Sequence, residues 1–470
     1  MLDVIEPVRQ RLSTWVAVSA MTIACQVGTR SSLAPSPAPT GAVSKPLVAS
    51  SPAAGLPVAA TVTAPRHDSG VAVAVTDAGS STGDAGIAAV ASAQAPPARY
   101  AGPVPQGRGD AQRSGRSPFR LSMTQPKEIW RVCTQGSIAA APTLASDGTV
   151  LFSSHDRHVY AVSPQGALRW KHRTGDMVWS AATLLSGSPG SDAAADALVL
   201  VGSDDDKLRA LRLSDGSVAW QISPGGCRWP VGRGPEASRC DIEDVTLSAG
   251  GTAYFAGAAV YAASGDGKLL WTYTPEHPPD RKPHHCSSAP ALAPDGSVRA
   301  VCHDVLYALN PDGSKRWQFE GPGEFDSAPA IGPDGTSYIG DEARRLIAID
   351  AQGQQRFSFI SGGPVRAAPA LRSDGTIVFG AYDGVLYALR PDGSLAWNFA
   401  TADSIQSAPL VDADGAVVFG SRDNRVYALS GDGTLRWSLQ LDEDIDGSPT
   451  LGPDGTLYVG SDDRCLHAFR

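Results

Sequence analysis

One aromatic residue closes a pattern that recurs along most of the chain, at Trp130, Trp170, Trp220, Trp271, Trp317, Phe357, Trp397 and Trp437. The spacings are 40, 50, 51, 46, 40, 40 and 40 residues. A period of about 40–45 residues is what a propeller blade of four short strands requires. The unit is plainest in three consecutive copies, residues 327–357, 367–397 and 407–437. Each begins with a small-residue strand, Ser/Ala-Ala-Pro. An Asp-Gly turn follows, then an apolar strand ending in Gly, a polar turn, and a third strand, Tyr-Ala-Leu in two copies and Ile-Ala-Ile in the first. A second Gly turn leads to the strand that carries the aromatic residue. A β-sandwich does not explain so strict a recurrence.

Counting first strands gives eight: Ala140-Ala141-Pro142, Ser180-Ala181-Ala182, a degenerate Glu243-Asp244-Val245, Ser288-Ala289-Pro290, and those starting at Ser327, Ala367, Ser407 and Gly447. The last copy stops at Arg470, before its aromatic strand. The first is preceded by an orphan aromatic strand, Lys127 to Trp130. The expected fold is therefore all-β, an eight-bladed β-propeller of four-stranded antiparallel blades. The N-terminal strand completes the C-terminal blade, which ties the chain ends together and removes sheet edges. Small residues on the first strand suit the crowded axis, and large rings suit the wider gaps between blades.

The division expected along the chain is 1–25 as a signal-like segment, 26–107 as a tether, 108–126 as a lead-in and 127–470 as the propeller. The 26–107 stretch is rich in Ala, Pro and Ser with one aromatic residue, Tyr100. Such a composition buries too little apolar surface to offset chain ordering, so it reads as disordered. A formal charge of −9 argues against nucleic-acid binding. No apolar run is long enough for a membrane span. The longest, Leu12 to Ala24, reads as the core of an export signal.

Besides Cys25 there are six cysteines. In an exported β domain an even number suggests three disulfides. The repeat register pairs Cys133 with Cys465 across the ring closure, and Cys227 with Cys240 around one insertion. It pairs Cys286 with Cys302 as residues directly opposite on a hairpin. Free buried thiols are the alternative. So is zinc at Cys286 and Cys302 with His284, although alternation along a strand turns His285 and His303 away.

Propellers bind ligands where linkers enter the first strands. The positions just before the first strands are Ala139, Trp179, Ile242, Ser287, Asp326, Arg366, Gln406 and Asp446. Trp179, Asp326, Arg366, Gln406 and Asp446 are the candidate funnel-binding residues, suited to a polar ligand or peptide. Asp442, Asp444 and Asp446 match the start of a calcium loop, but position 12 is Pro453 instead of Glu. The linker into the eighth blade accounts for the same residues without metal. Arg108-Gly109-Asp110 spells an adhesion tripeptide that the lead-in already explains. No set with the placement of a catalytic triad is evident. Insertions at Gly187–Asp196 and Gly225–Cys240 read as a partner-facing patch on neighbouring blades.

The Tyr-Ala-Leu/Val, Gly and Trp core resembles the repeat of the pyrroloquinoline-quinone (PQQ)-like β-propeller superfamily. The segment Arg108 to Pro118 is similar to the lead-in of many members. The superfamily includes quinoprotein dehydrogenases, which bind the quinone and Ca²⁺. It also includes non-enzymatic propellers such as the lipoprotein of the outer-membrane β-barrel assembly machine. This chain departs from the enzymes. Ala308 to Trp317 is one residue short of their docking motif, with Asp-Gly for Thr-Gly, and there is no adjacent Cys-Cys pair. Thr22-Ile23-Ala24-Cys25 resembles a bacterial lipoprotein signal, making Cys25 the lipidation candidate.

The resemblance implies a non-catalytic, exported, envelope-tethered binding module for protein or glycan partners. It would be monomeric, anchored only through a lipid, and free of cofactor. The alternatives are a PQQ- and Ca-dependent oxidoreductase and a sensor of a small extracellular ligand.

Overall fold

The computed structural model describes residues 106–186, 196–225, 241–276, 286 and 288–470. The expectations for residues 1–105, Cys25 among them, and for the 227–240 bridge lie outside the described residues. All regular structure among the described residues is β-strand, arranged as eight four-stranded antiparallel sheets. Seven sheets take their strands in chain order. Blade 5, for example, runs Ala330–Ile331, Ser337–Gly340, Arg345–Ile349 and Gln355–Ile360. The eighth combines Thr450–Leu451, Leu457–Gly460 and Cys465–Phe469 with Glu128–Cys133 from the other end of the propeller. The closure read from the orphan Trp strand is thus the closure that forms.

The core lies between blades, not within them. A single cluster joins Leu151, Val159 and Trp170 of blade 1 to Leu184, Val199 and Leu211 of blade 2. The recurrent Trp works across this gap. Trp317 donates its indole N–H to the carbonyl of Ala351 in the next blade, 2.9 Å away. Its ring lies where a Cβ on Gly353 would fall, and Gly353 has φ +85°. The second-turn glycine is therefore required twice, by backbone conformation and by the neighbour's ring. Trp130, Trp170, Trp220, Trp271 and Trp397 make the same bond to the following blade. Trp437 faces blade 8, which lacks this turn because its fourth strand comes from the N-terminal side. The carbonyl of Ser122 in the lead-in takes the place of the turn carbonyl, at 3.2 Å. Each fourth strand carries a register shift beside the aromatic residue. Such bulges blunt an exposed edge.

The first strands line the axis. On one side of the ring, threonine hydroxyls stitch neighbours together: Thr143 to Ala182 O, Thr183 to Val245 O, Thr246 to Pro290 O and Thr450 to Pro142 O, at 2.6–2.8 Å. Blades 4 to 7 have Ala291, Ala330, Ala370 and Leu410 at that position, with no hydroxyl to give. The lead-in fills this side. Its Arg108 guanidinium donates to the carbonyls of Pro369 and Pro409. Its backbone carbonyls at Ala111, Gln112, Ser114 and Gly115 accept from Leu292, Ile331, Leu371 and Val411, at 2.8–2.9 Å. Small residues on the blades leave room for this. Gly115 (φ +67°) has Arg108 and Ala370 where a Cβ would go.

Blade 3 is degenerate for a related reason. Asp244 stands where other blades have Ala or Ser. It accepts from Arg113 of the lead-in at 2.7 Å and from the Ala181 N–H at 2.5 Å. The lead-in thus corks the axis from the end where the first strands finish. Arg108 is buried, so the adhesion-tripeptide reading has no exposed side chain behind it.

Cys133 and Cys465 are bridged and stand opposite each other in the closing ladder. Cys286 and Cys302 are bridged as well, but not as opposed ladder residues. The ladder of this hairpin pairs Ala291 with Arg299 and Leu292 with Val298. Cys286 instead lies in the linker ahead of the strand, its N–H donating to Gly257 O.

Candidate functional site

Five of the linkers drop one apolar residue into the seat left by the Gly that ends the second strand of the preceding blade. Val365 sits on Gly340, Ile405 on Gly380, Ile445 on Gly420, Ile138 on Gly460 and Ile242 on Gly202. All five are buried. The next residue is turned to the axis, at the end opposite the cork. This places Arg366, Gln406, Asp446 and Trp179 on the funnel wall, with Asp326 after buried Phe325. In blade 3 the residue turned to the axis is Glu243, not Ile242, because that linker is one residue short.

The structure adds a second ring that the linker positions alone did not reveal. It comes from the turn between second and third strands: His155, Glu342, Tyr382, Arg422 and Asp462. The first four reach forward to the linker residue of the following blade. Glu342 receives a two-pronged bond from Arg366 at 2.6 and 3.0 Å. Tyr382 donates to Gln406 at 2.5 Å. Asp446 receives two bonds from Arg422 at 2.9 and 2.7 Å. His155 lies against Trp179, ring centroids 3.8 Å apart. Lateral contacts join the pairs. Arg422 also donates to Gln406, Arg366 reaches Asp326 at 3.3 Å, and both guanidinium groups lie near the Tyr382 ring. Four of the five candidate residues therefore belong to one belt, and Trp179 extends it through His155.

The belt is electrostatically uneven. Hydrogen bonds donated to Glu342 and Asp446 raise the pKa of Arg366 and Arg422 beyond their ordinary value. Burial and nearby acids also raise the pKa of carboxyls that have no salt-bridge partner, which disfavours their charged form. Asp462 is held above the usual carboxylate range by burial and by Asp446, and Asp444 by burial and the same neighbour. Glu243, in the linker into blade 3, is shifted in the same direction. Burial, with Asp244, Asp241 and Asp326, pushes its carboxyl up to about 8.

The calcium candidates divide. Asp446 is committed to Arg422, and exposed Asp442 lies 3.7 Å from Arg131. Among the described residues, the three-residue group with the closeness of metal ligands is Asp463, Cys465 and His467. Cys465 is in a disulfide and offers no thiolate. A bound quinone of the PQQ type is a tricarboxylate, which needs cations to spare. The belt's two arginines are already matched by Glu342 and Asp446, and its remaining charge is acidic. The belt residues do not fit that group.

The insertions expected at Gly187–Asp196 and Gly225–Cys240 lie, but for Asp196 and Gly225, outside the described residues.

A family model described as outer membrane protein assembly factor BamB matches residues 119–228, 302–442 and 382–470, together more than half of the chain. No curated protein matches. Among solved structures, BamB from Moraxella catarrhalis is similar at 15% identity over 74% of this chain and 100% of that one, TM-score 0.57. The computationally designed Ika8 protein is similar at 14% identity, over 73% and 99%, TM-score 0.57. A europium-containing methanol dehydrogenase is similar at 13% identity, over 77% and 90%, TM-score 0.60. At these identities the likeness to solved structures concerns the fold alone.

Proposed function

Because the chain belongs to the family described as outer membrane protein assembly factor BamB, of quinoprotein-type β-propellers, we propose that it is a non-catalytic scaffold that binds a protein partner through its funnel end. In this reading it is exported and held at a bacterial envelope by the 26–107 tether, with a lipid on Cys25. The observation that carries the reading is the belt itself. Its arginines, tyrosine and glutamine hold one another in place, which makes a rigid, shaped surface and leaves no free nucleophile–base pair. The family's description, an assembly factor, supports a protein over a glycan as partner.

The test is crosslinking in the native envelope fraction, followed by purification and mass spectrometry. The expected result is a stoichiometric protein adduct on a chain whose mature end is Cys25, without quinone absorbance. Co-purifying quinone with dehydrogenase activity would overturn it in favour of the oxidoreductase reading.

A further inference from the structure

In four blades the belt follows a rule, and at the seam the rule leaves a gap. The turn residue meets the linker residue of the next blade, 24 positions on: His155 with Trp179, Glu342 with Arg366, Tyr382 with Gln406, Arg422 with Asp446. The turn residue of blade 8 is Asp462, and its counterpart across the seam is Ala139. Alanine has nothing to give a carboxylate. Asp462 keeps a bond with Ser137, whose own carbonyl accepts from the His155 N–H at 3.0 Å. Its backbone N–H donates to Asp444 O at 2.9 Å. So two carboxyls that take part in no salt bridge, Asp462 and Asp444, lie at the gap, and Asp462 is linked through Ser137 to the backbone of His155, the partner of Trp179.

Trp179 is the odd tryptophan of the propeller. Among the described residues, seven tryptophans give their indole N–H to a carbonyl of the neighbouring blade or the lead-in. Trp179 makes no such bond, and it is 46% exposed. Its ring is nonetheless held in place against His155. A fixed, exposed indole on the same funnel wall as carboxylates without a salt bridge suits a cation that can lie on the ring face.

We propose that the gap at Ala139 is a docking cup for a basic side chain, arginine or lysine, carried by the protein partner. The incoming cation takes the place that Arg366 and Arg422 fill for their own acids and lies over Trp179. This rests on the funnel-end scaffold reading and names the chemistry of its partner. Charge complementarity favours it over a glycan, since a neutral sugar does nothing to relieve the crowding of Asp444, Asp446 and Asp462. That crowding is evident in the raised pKa values of Asp444 and Asp462.

The test is calorimetric titration of the full chain at low salt with the peptide acetyl-Arg-Gly-Arg-amide. Its citrulline counterpart, alike in shape but uncharged, and maltohexaose serve as comparisons. The arginine peptide is expected to bind at least tenfold more tightly than the citrulline one. W179A and the D444N/D462N pair should each weaken it about tenfold or more. A139R, which supplies the missing guanidinium from within, should abolish binding while the protein stays folded. D442N/E443Q removes two acids of the same linker outside the cup and should change binding less than twofold. Equal binding of the citrulline peptide, equal losses in D442N/E443Q, or maltohexaose binding that W179A abolishes would each overturn the proposal. Partner capture from the envelope separates the two readings. Capture that survives W179A and A139R sinks the cup and leaves the scaffold. A wild-type chain that captures nothing sinks the scaffold, whatever the peptide does.

Discussion

Arg108 donates to the carbonyl of Pro409, 301 residues further along the chain, and with its other terminal nitrogen to Pro369. These are the carbonyls that threonine hydroxyls serve on the other side of the ring. R108A should therefore cost about 3 kcal/mol, the scale of a buried, charge-assisted pair of bonds left unmade. Part of that loss should return in R108A/A330T/A370T, which restores a hydroxyl to each site. Urea denaturation of the three proteins checks this. If the threonines give nothing back, Arg108 acts by some other route.

The two bridges close loops of very different length. Cys133 and Cys465 are 332 positions apart, Cys286 and Cys302 only 16. Loop-closure entropy alone gives about 5 kcal/mol or more for the first and about 3 kcal/mol for the second. C133S/C465S should thus lower the denaturation midpoint more than C286S/C302S. A mild reductant should reproduce the larger loss, since Cys133 is exposed. Equal losses would mean that the closing ladder holds without its staple.

His467 is buried between Asp463 and Glu128, at 2.8 and 2.7 Å, next to that staple. Burial pulls its pKa down, but the hydrogen bonds and charges of Asp463 and Glu128 outweigh this and leave it raised. The imidazolium therefore stabilises the seam fully below about pH 6.5, and that contribution is lost as pH rises through the folded pKa. Burial raises the Asp463 carboxyl, and bonds from His467 and the Cys465 N–H more than reverse this, so its net shift is downward. Its contribution is present above about pH 4 and lost as pH falls through the folded value. The stability difference between wild type and H467Q should peak between those limits. Denaturation curves that stay parallel from pH 4 to 9 would refute this clasp.

Glu243 should behave in the opposite sense. With its folded pKa pushed up to about 8, the native state holds a proton that the unfolded chain releases near pH 4.5. Stability at this position then falls as pH rises between those values. E243Q should match wild type at pH 4 and exceed it at pH 9. No gain at pH 9 would show that the surroundings of Glu243 already accommodate the charge.

The blade count, the ring closure and the Cys133–Cys465 register were legible because each rests on period and alternation. Cys286 defeated that logic because its bridge starts from a linker, where no ladder fixes the register. The funnel was half legible. Trp179, Asp326, Arg366, Gln406 and Asp446 follow from their place before each first strand. Their partners His155, Glu342, Tyr382 and Arg422 did not, because a polar turn normally reads as solvent-facing. A usable signal exists: they lie 16 residues after the linker positions and vary where the flanking small residue and, in most blades, the following Asp stay alike. Nothing local in Arg108 or Asp244 announced the cork, since their partners lie hundreds of residues away or in another blade's strand.

The most direct test of the account places a photo-crosslinking residue at exposed Gln135, beside the funnel, or at exposed Leu395, at the cork end, in the native envelope. The account predicts a protein adduct from position 135 and none from 395. An adduct from 395 with none from 135 would contradict it, because the partner would then sit on the end that the lead-in closes.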